Sequence, residues 1–218
     1  MKMKLFAKIA LIAFLSLSLS GCTFIFQKGR RSDIRKIEEL SKQLDELNQA
    51  RGILESRLAG EIRDKQVKLE MMEKGLVITV VGDIVFDSGK DKIRPAVYSI
   101  LDKISLVLKE NVPQLSVGIE GHTDNQPIQY SNWKSNWELS VARSLSVLHF
   151  LVDEKGISPE RISAIGYGEY HPVASNDTKQ GCQLNRRVEI VILPRLTKVK
   201  ETKEPARFEL KEPLENLK

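Results

Sequence analysis

The feature that most limits what this chain can fold into is a change of hydrophobic period at Gly75. From Asp33 to about Glu73 there is no proline and only two glycines, Gly52 and Gly60. Over that stretch apolar residues recur at steps of three and four. Ile37, Leu40, Leu44, Leu47, Leu54 and Leu58 fit a heptad seam in which Arg51 takes one core position, and the seam then shifts to Ile62 and Leu69. This pattern predicts an amphipathic spacer helix over residues 33–74, on the order of 60 Å long at about 1.5 Å per residue, that pairs with a copy of itself or with another helix. A single solvated helix or a linker is the competing reading. Beyond Gly75 the period becomes two. Leu76–Val81 and Ile84–Phe86 read as strands on either side of a Gly82-Asp83 turn.

The remaining elements alternate. Arg94 to Glu110 reads as a helix with Pro95 in its first turn and Val97, Ile100, Leu101, Ile104, Val107 and Leu108 on its buried face. Leu115–Glu120 is a strand. A second helix runs from near Ser135 to about Lys155 with a core stripe of Leu139, Ala142, Leu145, Leu148 (or His149) and Val152, closed by Gly156. Strands follow at Ile162–Tyr167 and Arg187–Leu193. The order predicts one α+β domain over residues 75–194, a β-α-β-α-β sandwich with two main helices on one mixed sheet, preceded by the long helix. Residues 195–218 are charged, carry Pro205 and Pro213, and are expected to be disordered.

Lys2, Lys4 and Lys8 precede an apolar run from Ile9 to Leu19, followed by Ser20-Gly21-Cys22. A basic start, a short apolar segment and small residues before a cleavage point describe an export signal over residues 1–21. The run is shorter than the roughly 20 residues that span a bilayer. Leu19-Ser20-Gly21-Cys22 resembles the lipobox of bacterial lipoproteins. That resemblance implies that Cys22 carries the acyl chains (palmitate among them) and that residues 22–32 are a lipidated linker. Thr23 in place of an aspartate implies the outer membrane, with the domain facing the periplasm. Two or more acyl chains hold durably where one is marginal.

Charge narrows the partners. The formal charge is +5, but residues 73–193 hold 13 basic and 15 acidic side chains. The domain is slightly acidic and no basic stripe interleaves with aromatics, which argues against nucleic acid. The two cysteines, Cys22 and Cys182, lack metal-ligand spacing, and no base beside Cys182 marks it as a nucleophile.

The centre of the domain is the stretch from Ile119 to Arg143. Asp124 follows a strand end, and Arg143 lies in the first turns of the next helix, so an acid and a base can face one pocket, and a two-pronged clamp for a zwitterion is expected there. Gly121-His122-Thr123-Asp124-Asn125, Leu139-Ser140-x-x-Arg143, Gly166-Tyr167-Gly168-Glu169 and Asn185-Arg186-Arg187-Val188-Glu189-Ile190 together resemble the OmpA-like peptidoglycan-binding domain, over about residues 76–193. Ser135-Asn136-Trp137-Glu138-Leu139-Ser140 looks most like the version in the flagellar stator protein MotB. In overall layout the chain resembles a peptidoglycan-associated lipoprotein with an added spacer.

The resemblance implies that Asp124 takes the ammonium and Arg143 the carboxylate of diaminopimelate in the stem peptide, the latter as a bidentate fork. Backbone amides near Asp87, Ser88 and Thr123 complete the pocket, and Arg187 supports the carboxylate or braces Asp124. The competing readings are structural: Asp124 capping a turn, Arg143 paired with Glu138, Arg187 and His122 packed. Trp133 and Trp137 are read as cover for the insert, with sugar stacking as the alternative. Cys182 stands where the family usually has arginine.

The function expected is therefore a non-enzymatic tether between an outer membrane and peptidoglycan, with no cofactor, no metal and no catalytic residue. The rivals are an envelope scaffold that recruits partners through the coiled coil, a metal-assisted wall hydrolase using His122, Asp124 and His149 or His171, and a stator-like protein. The last would need a membrane-spanning helix bearing a proton-carrying aspartate, and the apolar segment before Cys22 holds no acid.

Overall fold

The computed structural model describes residues 33–129 and 132–194. The segments expected to be a signal peptide, a lipidated linker with Cys22 and a disordered tail lie outside the described residues. The chain opens with helix α1 (residues 33–57) and a short α2 (Ala59–Arg63). Then come β1 (Val67–Met72), β2 (Gly75–Val81), a single helical turn α3 (Gly82–Val85) and α4 (Tyr98–Glu110). After β3 (Ser116–His122) follow α5 (Asn136–His149), β4 (Ile162–Gly166), α6 (Lys179–Asn185) and β5 (Arg187–Leu193). The five strands form one mixed sheet in the order β1-β2-β5-β3-β4, antiparallel except for β3 beside β4. This is the expected α+β class.

One face of the sheet carries the core. Leu76, Ile78 and Val80 of β2, Val188, Ile190 and Ile192 of β5, and Val117 and Ile119 of β3 pack with Ile100, Leu101, Ile104, Val107 and Leu108 of α4 and with Val147 and Leu151. The alternate strand residues that face the helices and the 3.6-residue stripe of α4 meet in one layer. Arg161 closes the far end of α4: its guanidinium donates to the carbonyls of Leu108, Val112 and Leu115, satisfying acceptors that a helix terminus leaves open.

Three expectations are corrected. The helix expected over 33–74 ends at Arg63, and Lys65 adopts a left-handed φ of 57°. The chain then returns as the edge strand β1, whose Val67 pairs with Val80 and Met72 with Gly75. The seam also divides. Leu47, Ala50, Leu54 and Leu58 belong to the domain's own core, whereas Ile34, Ile37, Leu40 and Leu44 are 47–65% exposed. Arg57 with Glu110 and Lys103 with Glu61 tie α1 and α2 to α4. Burying Leu54 and Leu58 contributes roughly 1.5–3 kcal/mol each, so the domain begins well before residue 75.

Second, Ile84–Phe86 is not a strand. Residues 82–85 make one helical turn, and Phe86 forms only an isolated bridge with Ile93. Third, α5 is rotated from its expected phase. It buries Leu139, Ser140, Arg143, Ser144 and Val147, while Leu145 is 41% exposed. Close approach overrides hydrophobicity here: a Cβ on Gly121 would strike the Ser140 carbonyl, and one on Gly166 would strike Val141. The helix lies on the two glycines through its serine face, and this brings Arg143 inward.

Candidate functional site

The C-terminal end of β3, the first half of α5 and the loop from Asp83 to Arg94 enclose a cavity of about 650 Å³. Asp124, Arg143, Thr123, Asp87 and Ser88 all line it, together with Asp83, Arg94, Asn136 and Arg186. The start of α5 is fixed by Ser135, whose hydroxyl accepts from the Glu138 amide, while the Glu138 carboxylate accepts from the Lys134 amide. Glu138 is thereby used in capping and does not pair with Arg143.

Arg143 is 5% exposed. Its Nε donates to the Lys90 carbonyl at 3.0 Å and its Nη2 to the Asp87 carbonyl at 3.3 Å, with the guanidinium 5.1 Å above the Phe86 ring. Burial pulls its pKa down to about 10, so it stays charged at neutral pH. Among the described residues no carboxylate lies within ion-pair distance of it, and Nη1 has no hydrogen-bond partner. Thr123 is likewise 3% exposed with an unpartnered hydroxyl, while its amide is used by the Gly168 carbonyl at 2.9 Å. The expectation that this amide serves a ligand is therefore corrected; the hydroxyl is the free group.

Asp124, 6% exposed, accepts from the Gln126 amide through Oδ1 and from Arg186 Nη1 through Oδ2 at 2.7 Å. Arg186 also spans both oxygens of Asp83 at 2.8 Å. The hydrogen bonds that Arg186 donates to Asp83, and against burial the one it donates to Asp124, hold its pKa above the ordinary guanidinium value. Asn136 donates to the Asp124 and Gln126 carbonyls and to Glu169 Oε2. Trp133 donates its indole N–H to the Gly89 carbonyl at 3.0 Å, pinning the insert to the Asp87–Lys90 loop.

Arg187 is the site residue that the structure removes. Strand alternation turns it to the opposite face of the sheet, where it pairs with Glu189 at 2.7 Å and donates to the His171 carbonyl. Bracing Asp124 falls to Arg186, its neighbour in the same Asn185-Arg186-Arg187 run. On that opposite face Glu120, His122 and Glu189 bring three potential metal-ligand atoms within 4.8 Å of one another. Lys74 fills the position a cation would take, donating to both carboxylates at 2.7 and 2.8 Å. With Arg187 it balances the two acids. His122 stacks on Tyr167, and burial first, then Arg187, pushes its pKa down to about 3. A hydrolytic centre built on His122 and Asp124 is not assembled: His122 lies with this back-face cluster and does not line the cavity.

The sequence model of the OmpA family matches residues 85–186. The solved cell wall anchor of the T6SS from Pseudomonas aeruginosa is 33% identical, superimposing over 66% of this chain and 99% of its own with a TM-score of 0.60. The chain belongs to the OmpA family. Motility protein B of Bacillus subtilis (strain 168) is 41% identical over 69% of this chain and 58% of its own length. Probable lipoprotein YiaD of Escherichia coli (strain K12) is 31% identical over 65% of this chain and 62% of its own. The chain thus spans less than two thirds of either curated relative. The OmpA-family match stops short of α1, β1, β2 and β5, which supply three of the five strands and the Arg187–Glu189 pair behind the sheet.

Proposed function

We propose that this chain is a lipid-anchored tether whose OmpA-family domain grips peptidoglycan non-covalently, through the free amino-acid end of diaminopimelate in the stem peptide. The observation that carries this reading is Arg143, a buried guanidinium without a carboxylate partner among the described residues, aimed into a cavity of about 650 Å³. A buried cation of that kind is costly until an anion reaches it. A ligand carboxylate meets its free Nη1, and the Thr123 hydroxyl supplies a second contact. Asp124 is already oriented by Arg186, yet a carboxylate offers about four acceptor sites, so it also receives the ammonium on the same ligand carbon. A lysine-type stem offers only the ammonium and leaves Arg143 unpaired, a discrimination of about 1–3 kcal/mol. The role is binding rather than catalysis.

The membrane end of the tether rests on Leu19-Ser20-Gly21-Cys22, with Thr23 favouring the outer membrane; similarity to a probable lipoprotein and to a cell wall anchor supports this layout. Exposed Ile34, Ile37, Leu40 and Leu44 support pairing of α1 with a second copy. The 41% identity to Motility protein B favours a second reading, in which the same wall grip holds an inner-membrane machine. Among the described residues no helix is long and apolar enough to cross a membrane.

Purified sacculi test the reading. The full chain is expected to sediment with them without releasing soluble muropeptides, and Asp124→Ala and Arg143→Ala to remain in the supernatant while folded. Retention of both variants at the level of the unaltered chain would reject the clamp. Membrane fractionation, with mass spectrometry for palmitate on Cys22, separates the tether from the motility-type reading.

A further inference from the structure

Beside the cavity stand two aromatic rings with no role in the core. Trp137 and Tyr170 stack with centroids 5.0 Å apart and 22° between their planes, and they are 46% and 61% exposed. The other tryptophan of the insert, Trp133, is committed to the Gly89 carbonyl. Even stacked on each other, Trp137 and Tyr170 keep about half of their surface in water, and a large aromatic surface kept in water marks a contact site.

Their placement says what contacts them. Asn136 lines the cavity, and its amide donates to Glu169 Oε2 at 2.6 Å. Trp137 follows Asn136 in the chain and Tyr170 follows Glu169, so both rings are rooted one residue from the hydrogen bond that closes this wall of the cavity. Gly168, at a left-handed φ of 57°, faces the start of the helix, where a Cβ would make ordinary van der Waals contact with the Asn136–Trp137 backbone and the indole. Glu169 keeps Oε1 without a hydrogen-bond partner among the described residues, an acceptor next to the rings. A flat apolar face bordered by an acceptor matches a pyranose ring, which presents a face of C–H groups and a rim of hydroxyl and acetamido donors.

We propose that the stacked Trp137–Tyr170 pair is a platform for an amino-sugar of the glycan strand to which the bound stem peptide is attached. This rests on the peptide-binding reading of the cavity and extends it from one end of the ligand to the next covalent unit. The platform sets a preference for stems still joined to their glycan over free peptides.

The test uses the full chain in detergent micelles and calorimetric titration with two probes: a diaminopimelate-containing tetrapeptide, and the same peptide on its disaccharide. The glycan-bearing probe is expected to bind on the order of tenfold more tightly. Trp137→Ala and Tyr170→Ala should each erase that difference and leave the affinity for the bare peptide unchanged. Equal affinity of the unaltered chain for both probes, or a preference that survives both substitutions, overturns the platform. Binding of neither probe brings down the cavity reading itself, and the platform with it. Val141, Leu145 and Ile165 extend the apolar surface at 38–41% exposure. Concentration-dependent self-association that Trp137→Ala abolishes, without any sugar preference, would reassign the patch to contact between copies.

Discussion

Arg186 Nη1 donates to Asp124 Oδ2 at 2.7 Å, while Nε and Nη2 of the same guanidinium hold both oxygens of Asp83. Asp124 therefore has its orientation before any ligand arrives. Arg186→Ala is expected to weaken sacculus binding by about tenfold or more, the loss of one charge-assisted hydrogen bond, with the circular dichroism spectrum unchanged. Arg186→Lys should recover only part of this, because an ammonium cannot span Asp83 and reach Asp124 together. Undiminished binding by Arg186→Ala would show that Asp124 needs no brace.

Arg143 should behave in the opposite sense for stability. Its buried charge is met by two carbonyls and the Phe86 ring but by no carboxylate among the described residues. Arg143→Met keeps the volume and removes the desolvated charge, so the melting temperature is expected to stay level or rise while sacculus binding is lost. A drop of many degrees in thermal melts would mean that the guanidinium is a structural pillar instead.

The second half of α1 is part of the domain. Leu54→Ala, at a fully buried position, should cost about 2–5 kcal/mol in urea denaturation. Leu40→Ala, half exposed on the same helix, should cost far less at low protein concentration. Equal small losses at both positions would return the whole of α1 to the status of an external spacer.

Acid should loosen the back of the sheet. The His122 pKa falls from 6.5 to about 3 on folding, chiefly through burial and then Arg187. Between those values the unfolded chain binds a proton that the folded chain refuses. Stability is thus complete above about pH 6.5 and declines as pH falls, with a slope approaching 1.4 kcal/mol per unit. Glu189 acts in the same direction at lower pH: burial resists its ionisation, but Lys74 and Arg187 prevail and hold its pKa near 2 against 4.5. Urea melts of His122→Phe should be flat down to about pH 4.5, and a retained slope would place the titration elsewhere.

How much of this could be read from the chain depended on which physical signal marked each element. Strands β2 to β5, α4 and the placing of Asp124 and Arg143 at one cavity were legible because alternation, helical spacing and short motifs all agree there. β1 was not: Val67, Leu69 and Met71 alternate with Lys68 and Glu70, but Leu69 also continues the helical seam, and the turn before β1 uses Lys65 at a left-handed φ where a glycine would have marked the stop. The phase of α5 was hidden because its packed face includes Ser140 and Ser144, with Ser140 and Val141 set against Gly121 and Gly166. Arg187 was placed in the site and Arg186 overlooked because the two are adjacent. The separating signal is in the expected strand itself: one that starts at Arg187 turns that side chain to the face opposite Val188, Ile190 and Ile192, since consecutive residues face opposite sides of a strand.

The split seam of α1 also decides how the domain answers a pull. Force applied at residue 33 travels down a helix whose last turns are wedged into the core through Leu47, Leu54 and Leu58. It meets those side chains before it reaches the edge strand β1, so the sheet cannot be unzipped from its rim until the wedge is drawn. A load on the N-terminal side is borne first by hydrophobic packing, and only afterwards by the ladder of hydrogen bonds between β1 and β2.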